Sequence, residues 1–166
     1  MKKIFLIVAF LATAFIQKSF SQDASQQPAL SQLLNLYYDI KNSLVSSNAN
    51  SVTIKADEFV KAITAIDMKT LPDADMKVLM SVQDKLKEDA KHIAGTKELN
   101  HQREHFASFS TNMITLAKGA KLSSQPVYEV YCPMKKTSWL TAEKAIKNPY
   151  YGSSMLTCGK ITGTLQ

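Results

Sequence analysis

The sequence predicts a mainly α protein, a four-helix antiparallel up-and-down bundle carrying a small C-terminal two-stranded β/loop appendage. Three observations lead there. Between residues 29 and 120 apolar side chains recur at helical spacing in four successive stretches. The breaks between the stretches are short, which makes consecutive helices antiparallel neighbours. From Ser123 onward the texture changes, and Val127–Tyr131 and Gly159–Leu165 have strand composition.

The first helix is expected from Ala29 to Val45, with Leu30, Leu33, Leu34, Tyr37, Ile40 and Leu44 on one face. Ser46-Ser47-Asn48 breaks it, and the second helix follows from Ala49 to Ile66 with Val52, Ala56, Phe59, Val60, Ile63 and Ile66 inward. The third begins near Pro72, whose missing N–H would be unpaired in a first turn anyway. Asp73 and Asp75 place negative charge at the positive end of its dipole. Met76, Leu79, Met80, Leu86, Ala90 and Ile93 form its stripe, and Gly95 ends it. Thr96 is placed to cap the fourth helix, which carries Leu99, Phe106, Phe109, Met113, Leu116 and Ala117 inward and stops near Gly119. Met68, Met76, Met80 and Met113 have aliphatic neighbours, so they read as gap-filling core residues. In the appendage, Trp139 and Leu140, a short helical stretch over Ala142–Ile146 and the turn-forming Asn148-Pro149-Tyr150-Tyr151-Gly152 separate the two strands.

The N-terminus reads as an export signal over residues 1–21. Lys2 and Lys3 precede an apolar run from Ile4 to Ile16, and Ser19 and Ser21 suit cleavage before Gln22. The run is short for a membrane span, and no second one follows. Residues 22–28 read as a disordered lead-in, and residues 29–166 as one domain: helical bundle over 29–120, Cys/Met-containing appendage over 123–166. The predicted signal takes Lys2, Lys3 and Lys18 with it and no acid, so the formal charge of +6 becomes +3. No basic stripe with interleaved aromatics remains, which excludes a nucleic-acid partner from the expectation. The mature chain is expected in the periplasm or secreted, with no membrane insertion after signal cleavage.

The two cysteines lie near the C-terminus, each beside a methionine: Cys132-Pro133-Met134 and Met155-Leu156-Thr157-Cys158. Thiolate and thioether together favour Cu(I) over hard cations. Extended backbone puts Cys132 and Met134 on one side, and antiparallel pairing of the two strands would bring both clusters to one end of the hairpin. A four-sulfur site is therefore one reading. A Cys132–Cys158 disulfide is the other, since an exported chain meets oxidising conditions. Closing that 27-residue loop would stabilise the fold by roughly 3.5 kcal/mol in the chain-entropy model.

His101 and His105 are spaced i, i+4 on the fourth helix and stack on one face, as a metal pair or as two solvated residues. His92 has no partner in sequence and reads as a surface residue. No Ser-centred elbow, Gly-rich phosphate loop, His-Glu-x-x-His helix or Cys-x-x-Cys pair is present, so the chain is not expected to be an enzyme.

The string Tyr131-Cys132-Pro133-Met134, Trp139-Leu140, Asn148-Pro149-Tyr150-Tyr151-Gly152, Met155-Leu156-x-Cys158-Gly159 resembles the signature of a bacterial domain of unknown function found in secreted proteins of the Bacteroidetes type. It is similar as well to a segment attached to periplasmic adaptor subunits of heavy-metal (copper/silver) efflux systems. The helical part shares an Arg-x-x-Phe step, here Arg103 and Phe106. The resemblance implies soft-metal handling in the periplasm through Cys132, Met134, Met155 and Cys158. Relatives with His before the first cysteine differ from this chain, which has Tyr131; His105 or His101 would then complete the site.

Two functions are thus expected from the sequence. One is a periplasmic protein that binds copper, buffers it or hands it to an efflux partner. The other is a disulfide-stabilised helical interaction module of the envelope that engages a partner through a Trp139 and Tyr150-Tyr151 surface.

Overall fold

The computed structural model describes residues 28–165; the predicted signal over 1–21 and nearly all of the predicted lead-in lie outside them. Four helices follow one another, α1 (Pro28–Val45), α2 (Ala49–Thr64), α3 (Asp73–Ala94) and α4 (Leu99–Gly119), and then three strands, β1 (Val127–Cys132), β2 (Thr137–Thr141) and β3 (Lys160–Leu165). Successive helices are principal neighbours, giving the up-and-down bundle. No helix among the described residues is long and apolar enough to cross a membrane.

Local chemistry sets the helix ends. Asn48 caps α2, its side chain accepting from the Ser51 N–H at 3.1 Å. Asp73 and Asp75 occupy the first turn of α3, and Gly95 closes that helix. The cap expected of Thr96 is not made: α4 begins at Leu99 behind Glu98, and the Thr96 hydroxyl instead accepts the Glu98 N–H at 3.0 Å. A side chain two residues ahead of its donor forms a tight turn rather than a helix cap.

All six apolar residues expected inside α1 are buried. In α3 the inner stripe runs through Leu79, Val82, Leu86, Ala90 and Ile93, and Met80, placed in the core by sequence, is 63 % exposed. Met80 sits one residue past Leu79, about 100° round the helix, which turns it out of the stripe. Met113 is fully buried, whereas Met68 and Met76 pack at the rim of the core.

The sheet has three strands, in the order β2-β1-β3, rather than two. The expected antiparallel pairing of β1 with β3 is present, with Tyr131 opposite Lys160 and an irregularity between Glu129 and Val130. The added strand is β2, which pairs antiparallel with β1 and sets Val130 opposite Trp139. Its residues Trp139, Leu140 and Thr141 are all buried, so it lacks the alternation that marks a strand with one wet face. The helical stretch expected over Ala142–Ile146 does not form. The Thr141 hydroxyl takes the Glu143 N–H at 3.2 Å and diverts the chain into a bend.

The sheet shares one core with the bundle. Val130, Cys132, Trp139, Leu140 and Tyr150 belong to the same buried cluster as the helix interiors. Trp139 is 1 % exposed and Tyr150 is 4 % exposed, so the interaction surface expected from Trp139 and Tyr150-Tyr151 is mostly core. The Trp139 indole meets the Tyr150 ring edge-on at 6.0 Å, an arrangement that suits the ring quadrupoles.

Candidate metal centre

Strand pairing brings the two cysteines together. Cys132 is the last residue of β1, on the buried face it shares with Val130, and Cys158 lies two residues before β3. Their sulfurs are 3.9 Å apart, both as free thiols. Cys132 is fully buried and Cys158 half-buried, so the pair has one inner and one outer member.

The turn after Cys132 directs N–H groups at these sulfurs. Pro133 donates nothing and fixes its own φ, and the chain then folds back so that the Lys136 N–H reaches the Cys132 carbonyl at 2.8 Å. Within that turn the Lys135 N–H points at the Cys132 sulfur at 3.4 Å, and the Met134 N–H points at the Cys158 sulfur. Asn148 supplies a third donor, its Nδ2 lying 3.3 Å from the Cys132 sulfur. Hydrogen bonds to sulfur favour its thiolate form. Burial pushes the Cys158 thiol above its ordinary value, the adjacent Cys132 sulfur adds to that, and the Met134 N–H pulls it back.

Asn148 is the organising residue that sequence reasoning treated only as a turn former. It is fully buried. Besides the Cys132 sulfur, its amide donates to the Cys158 carbonyl at 2.6 Å and accepts the Tyr150 N–H at 2.8 Å. Two glycines permit the surrounding approach. A Cβ on Gly159 would lie 2.7 Å from the Trp139 ring, and Gly152, at φ +55°, sits against the Arg103 guanidinium. Arg103 in turn donates to the carbonyls of Pro149 (3.0 Å) and Leu44 (3.1 Å) and to the Ser47 hydroxyl (3.0 Å), tying the Asn148–Gly152 loop to the end of α1.

The flanking methionines are at the surface, Met134 59 % and Met155 37 % exposed. Met155 ends a single 3₁₀ turn, Gly152–Met155, and its carbonyl accepts the Cys158 N–H at 3.1 Å. Neither thioether is committed to the core.

The sulfur pair has a spacing that a metal can bridge. An ion about 2.3 Å from each sulfur would subtend an S–M–S angle of about 115° across the 3.9 Å gap. A disulfide instead needs about 2.05 Å, and that bond is not formed.

The histidines lie elsewhere. His101 and His105 are on one face of α4, as their spacing requires, but that face meets α3, where His92 completes a group whose ligand nitrogens all lie within 4.8 Å of one another. Arg103, which faces the sheet-side loop, is turned by about 160° from both. The structure thus divides the sequence candidates in two: Cys132 and Cys158 with their methionines, and His101 and His105 with His92. His92 has partners after all, because the antiparallel turn at Gly95 folds the end of α3 onto the start of α4. Counting outward from Gly95 would have revealed it, since residues on either side of a helical hairpin's turn become neighbours.

No curated protein matches the chain, and no solved structure matches it. A protein-family match covers residues 33–125, which holds the four-helix bundle except the start of α1, includes all three histidines and stops short of the cysteines. On that match, spanning more than half of the sequence, the chain belongs to the family described as proteins of unknown function, DUF3347.

Proposed function

We propose that the protein is a soft-metal-binding protein of the bacterial cell envelope rather than an enzyme. In this reading Cys132 and Cys158 hold Cu(I), and the exposed Met134 and Met155 serve as exchangeable thioether donors on the way in and out. The observation that carries it is the pair of free thiols 3.9 Å apart, with three N–H groups aimed at their sulfurs. Such a donor set is soft, and its inner sulfur is shielded while its outer one is accessible.

The place of action rests on the sequence. The predicted signal over 1–21 supports export to the periplasm, and the Cys-Pro-Met and Asn-Pro-Tyr-Tyr-Gly strings resemble Bacteroidetes-type secreted proteins and the segments carried by copper/silver efflux adaptors. An efflux assembly or another envelope protein is the partner that would receive the ion.

The same proximity favours a second reading, a Cys132–Cys158 disulfide that staples a helical interaction module without a metal role. One experiment separates them. The mature chain, purified from the periplasm, is assayed for free thiols and then titrated with Cu(I) against a competing chelator, alongside Cys132→Ser, Cys158→Ser and Met155→Leu. The metal reading expects one equivalent bound tightly after reduction, lost in both serine variants and weakened in Met155→Leu. An oxidised pair that takes up no Cu(I) after reduction overturns it and leaves the staple.

A further inference from the structure

The second cluster of donors is built from parts that no expectation combined. His92 stands in the last turn of α3, and His101 and His105 stand in the first two turns of α4. The His92 and His105 rings are stacked at 4.4 Å and 9°, and the His101 ring lies 4.7 Å from that of His105 at 57°. His92 and His101 are exposed and His105 is half-buried. His92 and His101 border a shallow cleft of about 230 Å³ at the Gly95 turn.

Beneath them is Asp89, one turn before His92 on α3. It is 8 % exposed, and its Oδ1 lies 3.6 Å from His105 Nδ1. Its other oxygen takes only a long contact, 3.5 Å, from Asn112 Nδ2. At 3.6 Å the carboxylate stands just outside hydrogen-bond reach of Nδ1, on the side from which a carboxylate orients a metal-bound imidazole and leaves Nε2 for the ion. The cluster therefore has both a ligand layer and a supporting group beneath it.

We infer that His92, His101 and His105, backed by Asp89, form a second metal site, separate from the cysteines and selective for a borderline divalent transition ion such as Zn(II) or Cu(II). Imidazole donors suit these ions, and three of them leave a position open for water or a transferred ligand. A tetrahedral ion about 2.0–2.1 Å from each nitrogen would hold the nitrogens about 3.3 Å apart, against the present limit of 4.8 Å. Closing that gap requires the His92 ring to turn from face-on to edge-on. Its exposed position puts no core packing in the way of that rotation. The carbonyl end of α3 favours a cation there, whereas the start of α4 and the Lys91 side chain at the cleft oppose it. The three nitrogens must outweigh these, so moderate affinity is expected, below that of a buried structural site.

The test uses the mature chain with Cys132→Ser and Cys158→Ser together, so that no thiolate donor remains and the thioethers left are soft ligands ill-suited to Zn(II). A circular dichroism melt first establishes that this background is folded. Zn(II) is titrated by calorimetry, and Co(II) is followed in the visible range for a four-coordinate spectrum without sulfur charge transfer. One equivalent per chain is expected, weakened at least tenfold in His92→Gln and in His101→Gln, both of which alter exposed side chains. Asp89→Asn, which preserves size, should weaken binding less than removal of a ligand does. Zn(II) affinity that is indifferent to both histidine variants overturns the site, as does one ion per two chains. The result stands whether or not Cu(I) binds the cysteines, because both thiols are absent from the chain being titrated.

Discussion

The Tyr37 hydroxyl accepts the backbone N–H of Leu140 at 3.0 Å, joining the middle of α1 to the outer edge of β2. The same oxygen is 2.8 Å from the Ser110 hydroxyl on α4. In the strand order β2-β1-β3, β2 has one side unpaired, and an unpaired edge that is buried must find donors and acceptors elsewhere. A single phenol does this for Leu140 while its ring stacks on Phe106 at 5.4 Å and 21°. Burial is the main reason that its proton is held well above the usual phenol range, so the group acts as a neutral hydrogen-bonding pivot between helix and sheet.

Tyr37→Phe tests this pivot. The ring stays, but the Leu140 N–H and the Ser110 hydroxyl lose their shared partner in the interior. Leaving one buried donor unsatisfied costs about 1–3 kcal/mol. Urea denaturation should show a loss in that range with an unchanged m value. Hydrogen exchange should show the Leu140 amide deprotected more than amides of α2.

Arg103 and Gly152 form the second joint between bundle and sheet. Arg103→Lys keeps the charge but not the planar fork that reaches Pro149, Leu44 and Ser47. A loss of about 1–3 kcal/mol is expected, since hydrogen bonds from a charged group are each worth roughly 1.5–3 kcal/mol and an ammonium retains some of them. Gly152→Ala should also destabilise, because φ is +55° and the new Cβ would lie 2.8 Å from the guanidinium. If Arg103→Lys melts with the parent, the clamp contributes nothing.

What the sequence made legible follows from the range of the forces concerned. The α1 face could be read because the periodicity of Leu30, Leu33, Leu34, Tyr37, Ile40 and Leu44 is local and each is buried. β2 could not, because Trp139, Leu140 and Thr141 are covered on both sides by elements distant in sequence. The sulfur pair was visible, since strand pairing of 127–131 with 159–165 is enough to bring Cys132 to Cys158. His92 and Asp89 were missed because their contacts with His105 run across the turn at Gly95 between α3 and α4 and not along one helix. Asn148 looked like a turn residue, and its turn geometry gave no sign that its amide would reach a sulfur sixteen residues back.

On the proposed Cu(I) reading, Asn148→Ala should separate support of the metal from metal ligation. Removing the amide deprives the Cys132 sulfur of one donor and frees the Cys158 carbonyl and the Tyr150 N–H. Changes to groups that orient ligands typically weaken metal binding by about 10–100-fold. Cu(I) competition titrations should show a drop of that size with stoichiometry unchanged, whereas Cys132→Ser should abolish the site. If affinity in Asn148→Ala equals that of the parent, the N–H···S contact has no role in binding.

Lys41 gives a stability that depends on pH in a defined direction. It is 3 % exposed, its Nζ is 3.3 Å from the Thr141 hydroxyl, and the Tyr38 ring centre is 5.9 Å away. Burial lowers its pKa from 10.5 to about 8, with Glu143 opposing that shift and Lys147 adding to it. The unfolded chain therefore binds more protons than the folded one between about pH 8 and 10.5, and stability from this group rises with pH across that window. Below pH 8 the full penalty of burying the ammonium applies, on the order of 3 kcal/mol. Lys41→Met fills a similar volume without charge, so it should be more stable than the parent at pH 7 by about 1–3 kcal/mol. That advantage should shrink from pH 8 to 10.5 and disappear above it. Guanidinium denaturation at pH 7, 9 and 11 measures the gap. A constant gap would show that the Lys41 ammonium is solvated in the folded protein and that its burial carries no charge penalty.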